Sequence, residues 1–223
     1  MTGWTGPTPT YGLCRGVCRV VTSVMFDLKT YADHHVPDRG GALIVANHES
    51  YLDPVVVAVQ LRRPMSFMAK SELFAVPGFG PLIRRLGAFP VRQGRGDKAA
   101  IEETIARLRE GHMLTIFPEG SRTEDGNLQP IQRGVALIVR RAQVPVIPAV
   151  VTGSFEAWPR GRTLPLARPV RVLYGPALAL DGLKGDAIGQ LVDRTFRAML
   201  ADLRARVRRE RSASLYRAHD PAR

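Results

Sequence analysis

Ala42-Leu43-Ile44-Val45-Ala46-Asn47-His48-Glu49-Ser50-Tyr51-Leu52-Asp53-Pro54 joins an unbroken apolar run to a polar cluster that ends in a proline. Five apolar residues bounded by polar ones read as a buried strand over Ala42–Ala46. Residues 55–61 are apolar again and read as a helix. His48 therefore sits where a strand ends and a helix begins. Ser50 is a good N-cap, and Asp53 three residues later completes a capping-box pattern that turns the carboxylate back toward His48. A carboxylate in that place bonds one imidazole nitrogen, fixes the tautomer and stabilises the imidazolium, leaving the other nitrogen to take a proton. The plain alternative is that Ser50 and Asp53 only cap the helix.

Outward from this turn the chain alternates. Strands are expected at residues 65–69 ending in Lys70, at Ala88–Val91 ending in Arg92, and at residues 113–117, 144–151 and 170–174. Helices are expected at residues 13–28, 81–86 and 131–141, and from an Asp97 cap through Ile101, Ile105 and Leu108 to Gly111. Ile188, Leu191, Val192, Phe196, Leu200, Leu203 and Val207 mark a long amphipathic helix. Residues 1–10 read as loose, 93–96 as a turn, 155–168 as a loop and the Arg-rich tail as fraying. The apolar segment 71–80 is broken by Pro77, Gly78 and Gly80, so it is no long helix. It reads equally as one wall of an acyl-chain groove or as an ordinary core loop. The alternation implies an α/β fold: a mostly parallel twisted sheet flanked by helices, with amphipathic N- and C-terminal helices. Strand ends at 47, 70, 92 and 118 would then gather along one edge.

A chain of 223 residues suits one α/β domain with appendages. Its formal net charge of +12 points to anionic partners: phospholipid surfaces, phosphorylated substrates or nucleic acid. The basic residues are scattered and not interleaved with aromatics, which argues against nucleic acid. Cys14 and Cys18 share one helix face with no His beside them, so neither a zinc site nor a disulfide framework is expected, and a reducing cytoplasm is the default. No signal-peptide pattern is visible, and no apolar run approaches the roughly 18 residues of a membrane span. Membrane contact would be peripheral. Residues 13–28 carry an apolar stripe beside Arg15 and Arg19, fitting either core packing or contact with lipid. Arg204, Arg206, Arg208, Arg209 and Arg211 add a basic C-terminal end.

Phe117-Pro118-Glu119-Gly120-Ser121-Arg122-Thr123 is the second informative stretch. The glycine lets backbone approach a ligand, Ser121 and Thr123 offer donors, and Arg122 can pair with a phosphate. A surface turn with a salt bridge is the alternative.

Together, Asn47-His48-x4-Asp53 and Phe117-Pro118-Glu119-Gly120-Ser121-Arg122-Thr123 resemble the lysophospholipid and glycerol-phosphate acyltransferase family, of the 1-acyl-sn-glycerol-3-phosphate acyltransferase type. Gly87-Ala88-Phe89-Pro90-Val91-Arg92 matches its middle motif and Val144-Pro145-Val146-Ile147-Pro148-Ala149 its last. Ala69-Lys70-Ser71-Glu72-Leu73 is similar to the segment between the first two. The resemblance spans residues 40–176. It implies acyl transfer from a thioester, on coenzyme A or acyl carrier protein, to the free hydroxyl of lysophosphatidate, with glycerol-3-phosphate or another lysophospholipid as alternative acceptors. His48 would be the general base and Asp53 its partner. Lys70, Arg92, Glu119, Gly120, Ser121, Arg122 and Thr123 would bind substrate. Arg92 and Arg122 would take the phosphate, and Glu119 an acceptor hydroxyl or an Arg. Leu73, Phe74 and Pro148 would line the acyl-chain groove, and amides near the start of the 50s helix would face the oxyanion. No cofactor or metal is expected beyond the thioester co-substrate. Implied partners are an anionic membrane surface, lysophosphatidate and acyl-CoA or acyl carrier protein, with no nucleic acid. Implied location is peripheral, on the cytoplasmic face of the cell membrane. The implied layout is a membrane-associating segment at 1–30, an acyltransferase domain at 31–210 and a basic tail at 211–223. A thioester hydrolase would leave Arg92 and Arg122 without a purpose, and a non-catalytic lipid binder would leave His48 and Asp53 without one.

Overall fold

A computed structural model describes residues 8–92 and 97–218, with side chains through 213. The expected turn at 93–96, most of the loose start and the last part of the tail lie outside the described residues. Thr8 caps the first helix, α1 (Pro9–Phe26), its side chain accepting from the Tyr11 amide, with Pro9 suited to the first turn. Thus 9 and 10, expected to be loose, are helical.

A seven-stranded sheet forms the centre among the described residues, in the order β1-β7-β6-β2-β5-β3-β4. The strands are β1 (Lys29–Tyr31), β2 (Ala42–Ala46), β3 (Ser66–Lys70), β4 (Ala88–Val91), β5 (Met113–Ile116), β6 (Val146–Thr152) and β7 (Arg171–Tyr174). Every pairing is parallel except β6 with β7. β2 lies between β5 and β6 and is buried along its whole length, which explains its unbroken apolar run.

The connecting helices are α2 (Asp53–Ala58), α3 (Phe79–Arg85), α4 (Lys98–Arg109), α5 (Gly134–Ala142), the short α6 (Ser154–Ala157) and the long α7 (Asp186–Ala218). Asp97 caps α4 as expected, accepting from the Ala100 amide. Two core layers result. On one face Phe26 of α1 and Val56 and Val57 of α2 pack on Ile44, Ile147 and Val172. On the other, Leu108 of α4, Val135 and Val139 of α5, and Val192, Phe196 and Leu203 of α7 pack on Leu43, Val45, Val146 and Val150.

α1 is two-faced. Tyr11, Thr22 and Phe26 are buried, while Leu13, Val17, Val20, Val21 and Val24 stand exposed along the opposite side, Val24 at 80%. Arg15 and Arg19, expected beside that stripe, bond to the body of the protein, Arg15 half-buried and Arg19 exposed. Arg15 donates to the Val59 and Arg62 carbonyls and Arg19 to the Gln60 side chain. They fasten the helix to the end of α2. α7 runs through Ala218, well beyond Val207. Glu210 there binds the Tyr31 hydroxyl and pairs with Lys29 and Arg171, so long-range polar contacts carry the helix on. No described helix is long and apolar enough to cross a membrane.

Candidate active site

The loops leaving β2 and β5 meet at the carboxyl ends of these adjacent strands, and α2 and α5 carry them onto opposite faces of the sheet. Asn47 ties the β2 end to β6. Its side-chain oxygen accepts from the Val151 amide at 2.7 Å, and its amide donates to the Val151 carbonyl and to Glu49. The side chain thereby continues the ladder one residue beyond the strand.

α2 begins at Asp53, not at the expected Val55, and Leu52 occupies the N-cap position without a side-chain bond. Ser50 is not the cap: its hydroxyl accepts from the Leu52 amide and donates to the Trp158 carbonyl. Asp53 does turn back as the capping box implies. Its Oδ2 accepts from the Ser50 amide at 2.7 Å, the Glu49 amide at 2.6 Å and His48 Nδ1 at 2.9 Å. A fully buried carboxylate therefore holds the imidazole by Nδ1–H, which leaves Nε2 as the basic nitrogen. Phe117 stacks on the imidazole at 4.0 Å between centroids, fixing its plane. Of the amides near the start of the 50s helix, expected to face an oxyanion, those of Glu49 and Ser50 are already bonded to Asp53.

Glu119 differs from expectation. It is 3% exposed, and its two oxygens accept from the backbone amides of His48 at 2.8 Å and Gln129 at 2.7 Å. It joins the two loops and does not reach out to a hydroxyl or an Arg. Burial pushes its carboxyl up to about 7, against the downward pull of those amides. Burial also raises Glu49 well above the carboxylate range, and nearby Asp53 adds to the rise. Thr123 is likewise inside: its amide donates to the His48 carbonyl at 2.9 Å and its hydroxyl to Asp125. Gly120 and Ser121 are exposed at the loop's outer bend, and Gly120 holds a φ of +75°.

Arg122 is the residue of this loop that turns toward the β2 turn. Its guanidinium lies 3.5 Å from the Tyr51 ring centroid, and its Nη1 is buried without a partner. Hydrogen bonding from Arg122 and its charge hold the Tyr51 phenol below the ordinary tyrosine range, and Arg160 and Lys70 add to the field. Arg122 lies against this half-exposed ring, while Lys70 and Arg160, which pairs with Glu124, act on it at longer range. Lys70 sits at the end of β3, two strand spacings from β2. Arg92, at the end of the edge strand β4, is three spacings away, about 14 Å. Its amide bonds Asp97.

Leu73 and Phe74 lie in a short 3-10 turn, Ser71–Ala75, after β3. Leu73 is exposed and Arg84 lies over the Phe74 ring. Pro148 is no groove residue. It is buried in β6, between β2 and β7, and packs toward Gly175 and Met199 in the α7 layer. Sequence reasoning gave no role to Asn47, Tyr51, Phe117, Trp158 or Arg160. The first three stand inside the quoted motifs; Trp158 and Arg160 are brought in by a loop with no local signal. Among the described residues no cluster of metal-ligating side chains occurs.

The family model described as Acyltransferase matches residues 27–152, which run from the end of α1 through β6 and enclose both loops of the site. The 1-acyl-sn-glycerol-3-phosphate acyltransferase of Bacillus subtilis is 30% identical over 144 residues, 64% of this chain and 71% of its own length. The alpha form of the same-named protein from Ovis aries is 31% identical over 176 residues, 77% of this chain and 61% of its own. The crystal structure of the 1-acyl-sn-glycerophosphate (LPA) acyltransferase, PlsC, from Thermotoga maritima aligns with a TM-score of 0.77 at 23% identity, covering 87% of this chain and 80% of that one, and so has the same fold. With the family model covering more than half its length, the chain belongs to the acyltransferase family.

Proposed function

We propose that the protein transfers a fatty acyl group from a thioester, carried by coenzyme A or acyl carrier protein, to the free hydroxyl of lysophosphatidate, giving phosphatidate. The observation that carries this reading is the 2.9 Å bond from His48 Nδ1 to a buried Asp53, which leaves Nε2 basic. As the acceptor oxygen attacks the thioester carbonyl, His48 Nε2 takes its proton. Collapse of the tetrahedral intermediate breaks the C–S bond, and the imidazolium returns the proton to the departing thiolate. Asp53 balances the imidazolium charge. General-base help of this kind contributes about 10²–10⁴-fold. No protein nucleophile is needed, since the acceptor hydroxyl attacks.

The acceptor phosphate is assigned to Arg122 and Lys70 beside Tyr51, with Arg92 flanking from β4. A buried guanidinium nitrogen without a partner is costly, and a phosphate oxygen would satisfy it. The names of the relatives in Bacillus subtilis and Ovis aries favour lysophosphatidate over other acceptors. Leu73 and Phe74 are assigned to the acyl-chain groove. The exposed stripe on α1 supports peripheral attachment to a membrane, on the cytoplasmic face where acyl thioesters are supplied. The test is thiol release from acyl-CoA or acyl carrier protein with and without lysophosphatidate. Release that depends on the acceptor and yields phosphatidate supports the reading; release to water alone replaces it with hydrolysis.

A further inference from the structure

Residues 158–170, between α6 and β7, form neither helix nor strand, yet their backbone is held at both ends and in the middle. The Trp158 carbonyl accepts from Ser50 Oγ at 2.7 Å, and Trp158 Nε1 donates to the Arg162 carbonyl at 2.9 Å. The Leu166 amide donates to the Ala157 carbonyl, and the Val170 amide to the carbonyl of Phe26, the last residue of α1, each at 2.8 Å. Gly153 sits so close to the far end of the loop that a Cβ there would stand 2.1 Å from the Pro169 carbonyl oxygen. The loop therefore runs, fastened, from the catalytic turn to the end of α1.

Its outward side chains are of two kinds. Leu164 is 73% exposed and Leu166 39%, with Arg160, Arg162 and Arg168 exposed around them. A loop this well fastened has no need to leave two leucines in water. Where it meets α1, Val24 and Met25 are exposed as well. The helix and the loop thus each present exposed apolar side chains, and exposed arginines interleave the leucines along the loop. Leucines that enter the acyl region while long cationic side chains reach the phosphates match an anionic bilayer, and the three arginines match its charge.

We infer that residues 160–168 are a second membrane-docking element, which seats the protein on an anionic bilayer together with α1. The inference rests on the peripheral-membrane reading given above. A lone amphipathic helix fixes depth and leaves the body free to roll about the helix axis. A second contact on the loop, whose Trp158 accepts from Ser50 and sets its ring 5.5 Å from that of Tyr51, removes that freedom and turns the mouth of the site toward the headgroups, where a lipid acceptor's phosphate lies.

The experiment uses the full chain and three double variants: Leu164→Ser/Leu166→Ser, Arg162→Gln/Arg168→Gln and, on α1, Val20→Ser/Val24→Ser. Each is sedimented with phosphatidylcholine vesicles that contain or lack phosphatidylglycerol. Both loop variants should bind the anionic vesicles on the order of tenfold more weakly than wild type. Their melting temperature should be unchanged, as should turnover of a short-chain, water-soluble lysophosphatidate, while turnover of vesicle-embedded lysophosphatidate falls. Loop variants that pellet like wild type while the α1 variant does not would overturn the loop inference and leave the membrane reading standing. Wild-type protein that stays in the supernatant with both vesicle types would remove the membrane reading and the loop inference with it. A vesicle-free dimer that Leu164→Ser/Leu166→Ser dissolves would make the surface a contact between two copies, and that too overturns the inference.

Discussion

The guanidinium of Arg122 lies 3.5 Å over the ring of Tyr51, which joins the loop after β5 to the turn after β2 through a cation and an aromatic face. Tyr51 is half exposed, so the pair stands at the rim of the site with Arg160 and Lys70 in the same field. Arg122→Ala should raise the acceptor KM by roughly 10–100-fold, the range for a lost charge-assisted hydrogen bond, and leave the thioester KM nearly unchanged. Tyr51→Leu, which removes the ring under the guanidinium, should raise it by a few-fold to about 30-fold, and Tyr51→Phe much less. Steady-state kinetics on both substrates decides this; equal changes in the two KM values would remove Arg122 from the phosphate site.

The proposed role of His48 and Asp53 as one catalytic unit requires that their losses not multiply. His48→Ala should abolish transfer, Asp53→Asn should lose nearly as much, and the double variant little more. Stability separates the two roles. The Asp53 carboxylate accepts three hydrogen bonds and is fully buried, so Asp53→Asn should lower the melting temperature clearly, whereas His48→Ala should lower it much less. Turnover and thermal melts on the same samples provide the check, and a fully multiplicative double variant would count against coupling.

Glu119 makes folding stability sensitive to pH. Burial raises its carboxyl from an unfolded value near 4.5 to about 7. Between those values the folded chain keeps a proton that the unfolded chain has lost, so stability falls as pH rises through the window. The drop in melting temperature from about pH 5 to about pH 7.5 should be larger in the wild type than in Glu119→Gln. That variant should also melt lower at both pH values, because its amide nitrogen confronts one of the two backbone N–H groups. An identical pH slope in both proteins would contradict the assignment.

Asn47 carries stability more than chemistry. Asn47→Ala would strip both the Val151 amide and its carbonyl of their partner and leave Glu49 one donor short. The expected cost is roughly 2–4 kcal/mol, from buried groups left unsatisfied. Chemical denaturation measures it directly; a cost below about 1 kcal/mol would mean that the β2–β6 ladder does not depend on this side chain.

What the amino-acid order discloses depends on how local each contact is. Ala88–Val91 and the Asp97 cap are found where expected, because a short apolar run and a capping carboxylate signal within a few residues. His48 and Asp53 were legible for the same reason, since they share one turn. Glu119 was legible as a motif residue and not by its role, because its partner is a backbone amide 71 positions away. β1 carries no apolar run, and it becomes a strand only through pairing with Arg171, Val172 and Leu173. The antiparallel run of β7 beside β6 leaves no local trace either. Pro148 invited a ligand-facing role by its place in a motif, while strand alternation turned it toward α7.

That pairing of β1 with β7 also orders events during synthesis. Lys29 meets Arg171 and Tyr31 meets Leu173, so the N-terminal strand has no partner until more than three-quarters of the chain has been made. At roughly 5–20 residues per second the wait is on the order of ten seconds. Val170, whose amide bonds the end of α1, arrives at the same moment. For that interval the first helix is held only through earlier parts of the chain, by Arg15 and Arg19 on the end of α2 and by the Tyr11 hydroxyl on the Met65 amide. The β1–β7 edge of the sheet is therefore the last to close, after the strands at its centre are already made.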